Sequence, residues 1–147
     1  MIGIALTPLP YLREAASTLH PRALAALGDA VYTLWVKQHL LAQALSEHQD
    51  ASGKTLHTQS AKWLNAAAQA QRLEQLMVDT AFLLTEAELD WVRRGRNIPL
   101  PKHKQTQAAV HHAATGFEVL LGWWWLTDSE RLAEALGVMI EVDKPLN

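Results

Sequence analysis

Two stretches of this chain are apolar on every side of a helix and carry one acid each. Residues 23–36 read ALAALGDAVYTLWV, with Asp29 as the only charge. Residues 113–126 read AATGFEVLLGWWWL, with Glu118 as the only charge. At about 100° per residue, Leu24, Leu27, Val31, Leu34 and Trp35 form one stripe of the first stretch, while Ala25, Tyr32, Val36 and Leu40 surround Asp29 on the other. A helix without a polar side is expected to be buried on both sides. Such helices must lie at the centre of a helical packing, and each acid is then held in an apolar setting.

The rest of the chain supports helices. Ala and Leu together number 47, against 12 for Ile and Val, so helix formers far outnumber strand formers. An all-α helical bundle follows, and 147 residues are about one domain's worth, spanning 1–147. Pro21 suits a first helical turn, and a long helix is expected over 21–45. Residues 54–78 read as helical in two pieces. Thr85-x-x-Glu88 is a capping box opening a helix that runs to about Arg96. Pro99 and Pro101 make 97–104 a loop. A helix over 106–126 follows, then a second capping box, Thr127-x-x-Glu130, opening a last helix to about Glu141 and a frayed tail, DKPLN.

There is no cysteine, which excludes a disulfide scaffold, a thiolate metal site and a cysteine nucleophile. The start, MIGIALTPLPYLRE, lacks a basic leader region and carries two prolines, so no secretory signal is expected. No run of about 18 apolar residues exists, so no membrane span is expected. The expected location is cytoplasmic.

A buried carboxylate is costly and needs a partner. Either Asp29 and Glu118 each pair with a buried Arg or His, or they face each other and share a divalent cation. Mg²⁺ takes one or two protein carboxylates and completes its shell with water and phosphate oxygens. Gly116 and Gly122 flank Glu118, and glycines inside a helix point to close approach of another backbone.

The net charge of −2 argues at first against a nucleic-acid partner. The distribution argues otherwise. Residues 91–117 contain no acid and five of the 13 basic residues, Arg93, Arg94, Arg96, Lys102 and Lys104, so this block carries +5 and the remainder −7. Cations at a helix end suit its dipole, but Lys102 and Lys104 lie beyond the prolines. A cationic loop leading into the helix of Glu118 places phosphate-binding charge beside a metal site. The seven histidines form no metal motif, and His111 and His112 splay apart on a helix. Trp123, Trp124 and Trp125 span most of a helix circumference, so at least one is exposed unless a partner covers it.

Leu27-Gly28-Asp29-Ala30-Val31 resembles the signature of the ribonuclease III family, and Phe117-Glu118-Val119-Leu120-Leu121-Gly122 resembles its second acidic helix. Arg93-Arg94-Gly95-Arg96-Asn97, Pro101-Lys102, Leu56-His57 and Ala67-Ala68-Gln69-Ala70-Gln71 are similar to the Mini-ribonuclease III branch, which lacks a separate double-stranded-RNA-binding domain. The resemblance covers residues 28–136. It implies a homodimeric, Mg²⁺-dependent endoribonuclease acting on double-stranded RNA in the maturation of 23S ribosomal RNA precursor, with a ribosomal protein on that RNA as a further partner. Asp29 and Glu118 are the implied catalytic and metal residues, and Arg93, Arg94, Arg96, Asn97, Lys102 and Lys104 the implied RNA contacts. The helix of Asp29, rich in alanine at 23, 25, 26 and 30, is the implied dimer element. Two further acids of the full-length enzymes are replaced by Ala25 and Thr115, and the 98–104 loop is shorter than is usual in the branch. Those replacements favour the alternative of a non-catalytic RNA- or ribosome-binding scaffold. The triple Trp favours a third reading, a helical protein-interaction module.

Overall fold

Both apolar stretches become long helices that cross each other. A computed structural model describes residues 6–142, with side chains to residue 140. Its elements are α1 (Pro10–Ala15), a 3-10 turn (Ala16–Thr18), α2 (Pro21–Ser46), α3 (Gly53–Leu64), α4 (Ala66–Val78) and α5 (Glu86–Arg96). A 3-10 segment (Lys102–Gln107), α6 (Ala108–Thr127) and α7 (Ser129–Val142) complete it. No strand occurs among the described residues, and none of their helices is long and apolar enough to cross a membrane.

Helix ends follow local chemistry. Pro21 opens α2, and the His20 Nδ1 accepts the Arg22 N–H at 3.0 Å. His48, with φ 53°, turns the chain at the end of α2, and the Gln49 N–H bonds the Ala44 carbonyl at 2.8 Å. Asn65 divides the 54–78 stretch: its backbone is extended, and its Oδ1 accepts the Ala68 N–H at 2.8 Å to start α4. The Thr85–Glu88 capping box forms in both directions.

Three expectations need correction, and one helix adds to them. The Thr127–Glu130 capping box does not form. Thr127 stays within α6, its hydroxyl donating to the Trp123 carbonyl at 2.7 Å, and Asp128 caps α7 by accepting the Arg131 N–H at 3.0 Å. Residues 102–104, expected as the end of the loop, and 106–107, expected as the start of the helix, both belong to a 3-10 segment, so α6 starts at Ala108. The short helix α1 was not anticipated; six residues give too little periodicity to read. It is held by Arg13, whose Nε donates to the Leu126 carbonyl at 3.1 Å, near the negative end of α6. Finally, α2 is not covered on both sides. Leu24, Ala25, Gly28, Tyr32 and Val36 are buried, whereas Ala23, Ala26, Asp29, Ala30 and Leu34 are exposed. The expected tail lies outside the described residues.

The centre of the fold is α6, packed by α2, α4, α5 and α7. Glycines let its neighbours reach it. A Cβ on Gly28 would lie 1.8 Å from the Glu118 carbonyl oxygen, and one on Gly122 would lie 2.1 Å from that of Leu24. The main core comprises Tyr32, Val36, Leu73, Phe117, Leu120 and Trp124 with Met139 of α7. A smaller one gathers Leu24, Trp91, Ile98, Val119 and Leu126. Trp124 is fully buried, and Trp123 and Trp125 are half-buried, so none of the three is exposed.

A buried charge outside the two apolar stretches joins three elements. Glu88 is 5% exposed. It accepts bonds from the Trp124 indole N–H (2.6 Å), from Arg131 Nε (2.9 Å) and from the Thr85 backbone. Burial pushes its carboxyl up, but the bonds from Arg131, Thr85 and Trp124 and the charge of Arg131 together hold it below its ordinary value.

Candidate active site

Asp29 and Glu118 meet because α2 and α6 touch at the backbone. Gly28 lies directly on the Glu118 carbonyl, so its chain neighbour Asp29 stands at the crossing, beside Glu118. The two acids line one pocket of about 370 Å³ with Leu64, Ala66 and Gln69 of the α3–α4 region, Lys104, and His111, Ala114 and Thr115 of α6. The setting differs from the expected one for Asp29, which is exposed; α6 covers only one side of its helix. Glu118 is half-buried, as an acid on the central helix must be.

The electrostatics follow from this arrangement. Burial first, and then the negative charge of Asp29, push the Glu118 carboxyl up to about 7, while the Lys104 ammonium pulls it back. The first alternative, in which each acid pairs with its own Arg or His, is not what forms. Neither carboxylate has an Arg, Lys or His within 4 Å among the described residues. Two facing carboxylates that repel each other are a donor set that a divalent cation relieves. No group of three or more His, Asp or Glu among the described residues is placed to hold a metal. A cation there would depend on water and substrate oxygens for the rest of its shell.

The pocket also contains Thr115, which stands where the longer enzymes carry an acid, and two groups not expected there, His111 and Gln69. Thr115 and His111 lie three and seven residues before Glu118, on the same face of α6, a spacing that could have identified them. The Thr115 hydroxyl donates to the His111 carbonyl at 2.9 Å. Gln69 is buried, and its amide donates to the Leu64 carbonyl at 3.2 Å. Gln69 comes from α4, and no linear spacing relates it to the acids.

Of the six candidate RNA contacts, only Lys104 lines the carboxylate pocket. Arg93, Arg94, Arg96, Asn97 and Lys102 are exposed. Arg93 and Arg94 both pair with Asp90, the acid just before the cationic block, and Arg94 also stacks on Trp91 with its guanidinium carbon 4.6 Å from the ring centroid. Arg96 packs across Gly116 and reaches the Met77 sulfur.

Comparison with known proteins matches residues 22–129 to the Ribonuclease III domain family. The chain is 37% identical to Mini-ribonuclease 3 of Thermoanaerobacter sp. strain X514 over 97% of this chain and 95% of the relative. It is 40% identical to Mini-ribonuclease 3 of Symbiobacterium thermophilum over 81% of this chain and 86% of the relative. It is 38% identical to Mini-ribonuclease 3 of a Synechococcus strain over 83% and 81%. The matched span contains the crossing of α2 and α6 and both acids at it, and the chain belongs to the ribonuclease III domain family, in its Mini-ribonuclease 3 branch.

Proposed function

We propose that this endoribonuclease hydrolyses double-stranded RNA at the Asp29–Glu118 pair, with Mg²⁺ as cofactor and 23S ribosomal RNA precursor as substrate. The observation that carries this reading is the convergence of the two acids at the glycine-tight crossing, where burial and the charge of Asp29 raise the cost of ionising Glu118. Asp29 and Glu118 would hold Mg²⁺ directly or through water. When bound, the ion would supply Lewis-acid polarisation of the phosphate and a more acidic water. Hydrolysis of this type, with in-line attack by water, would leave a 5′-phosphate and a 3′-hydroxyl.

Arg93, Arg94, Arg96, Asn97, Lys102 and Lys104 serve as contacts to the duplex backbone. Exposed guanidinium groups can exchange Asp90 for phosphate at little cost, because surface ion pairs contribute only about 0–1 kcal/mol. A-form RNA offers shape, phosphates and 2′-hydroxyls more than base edges, so little base specificity comes from these residues. Two copies are proposed to assemble through the uncovered face of α2, each cutting one strand. There Leu27, Val31, Leu34, Trp35, Trp125 and Leu136 line an apolar groove of about 400 Å³. The reading also places the protein in the cytoplasm, with a ribosomal protein on the precursor as a further partner.

The test is incubation of the protein with a long RNA duplex, with Mg²⁺ and with EDTA. Cleavage should require Mg²⁺, and Asp29→Asn or Glu118→Gln should reduce it by at least about 10²-fold with the fold intact. Normal cleavage by either variant would remove these residues from the mechanism. Because Ala25 and Thr115 stand where the longer enzymes carry acids, a duplex bound but left uncut would favour the scaffold reading.

A further inference from the structure

The five cations of the 91–117 block differ in their surroundings. Arg93, Arg94, Arg96 and Lys102 are exposed, and Lys104 alone is half-buried. Arg93 and Arg94 have Asp90 as a partner. Arg96 lies over Gly116, roughly 160° around α6 from Glu118. The 3-10 segment draws Lys104 inward: its N–H bonds the Pro101 carbonyl at 3.0 Å, and its side chain lines the pocket of Asp29 and Glu118. Its charge is felt at Glu118, yet no ion pair within 4 Å ties it to either acid. It is a cation held at the site without being consumed there.

We propose that the Lys104 ammonium contacts a non-bridging oxygen of the phosphate that is cut at the Asp29–Glu118 pair, as a further catalytic residue and not one more clamp on the flanking backbone. This rests on the duplex-cleaving reading above. In the hydrolysis the water oxygen bonds to phosphorus and the P–O3′ bond breaks. One water proton ends on the departing 3′-oxygen, and the other is released to solvent from the new 5′-phosphate. Lys104 keeps its proton throughout. The non-bridging oxygens gain negative charge on the way to the transition state, so a fixed cation beside them binds that state more tightly than the substrate. The same charge opposes a metal ion at the carboxylates when no RNA is bound.

The inference therefore predicts two effects of opposite sign. Lys104→Met should bind Mn²⁺ about fivefold more tightly than the parent in the absence of RNA, read by electron paramagnetic resonance of the free ion. At saturating Mg²⁺ and duplex RNA, its single-turnover cleavage should be about 10²–10³-fold slower, with Lys104→Arg recovering part of the loss. Lys102→Met should instead weaken duplex binding in EDTA, lower its salt slope by about one, and leave Mn²⁺ affinity unchanged. Circular dichroism verifies that each variant is folded. A folded Lys104→Met that cuts at the parental rate when saturated, or whose Mn²⁺ affinity is unchanged or weaker, overturns the proposal. Failure of the parent protein to cut any duplex overturns the cleavage reading and this proposal with it.

Discussion

Glu118 and Glu88 are both glutamates withdrawn from water, and their surroundings drive them in opposite directions. Glu118 faces another acid and is lifted to about 7; Glu88 collects donors and is lowered. Between its ordinary value of 4.5 and about 7, folded Glu118 holds a proton that the unfolded chain has lost. Without divalent cation, stability therefore falls as pH rises through that window. In EDTA at pH 8, Glu118→Gln should stabilise the protein by about 1 kcal/mol after allowance for solvent screening, and the gain should vanish near pH 5. Thermal melts at the two pH values check this, and a variant that melts lower at pH 8 would contradict it. Glu88 has the reverse sign. Its contribution is present above the ordinary carboxylate range and is lost as pH falls through its lowered value. Glu88→Ala should cost about 3–5 kcal/mol at pH 7, because Arg131 and the Trp124 indole lose their buried partner.

Among the elements, the glycines decide how closely helices approach, and identical substitutions should have opposite outcomes. A Cβ on Gly122 would meet the Leu24 carbonyl at 2.1 Å, backbone that cannot move without parting α2 from α6. Gly122→Ala should therefore destabilise by about 3 kcal/mol and displace Asp29 from Glu118, reducing cleavage more than stability alone explains. At Gly137, inside α7, no atom of the described residues beyond the adjacent backbone of its own helix lies within 4 Å of the same position. Gly137→Ala should stabilise by about 0.5–1 kcal/mol through helix propensity alone. Chemical denaturation of the two variants separates the cases. The glycines beside Glu118 could be read in the sequence as a sign of close approach. Which helix makes the approach could not, since α2 lies about 90 residues earlier in the chain.

For the whole molecule, the apolar stretch around Asp29 is only half explained by one chain. The inner face of α2 meets α6, while Leu34 on the outer face remains 43% exposed beside Leu27, Val31 and Trp125. An apolar groove of this kind on a central helix fits association with a second copy. Leu34→Asp should convert the assembly to monomers in sedimentation, at little cost to the fold of each chain. A parent protein that already sediments as a monomer at micromolar concentration would refute the proposed dimer.

Composition and periodicity alone determined the all-α class, the long helices, the Thr85–Glu88 cap and the place of Asp29 and Glu118 as the lone charges of two apolar stretches, because these are properties of a residue and its neighbours within a few turns. The same local information misplaced the cap of α7, where Asp128 and Thr127 compete one residue apart. It also missed the burial of Glu88, whose partners Trp124 and Arg131 lie 36 and 43 residues away. Tertiary structure alone decided that the two acids converge, that Asp29 stays open to solvent, and that Lys104 enters their pocket. Each outcome depends on the angle and closeness at which distant helices pack, and those are set by side-chain volume across the crossing, not by the order of residues along either helix.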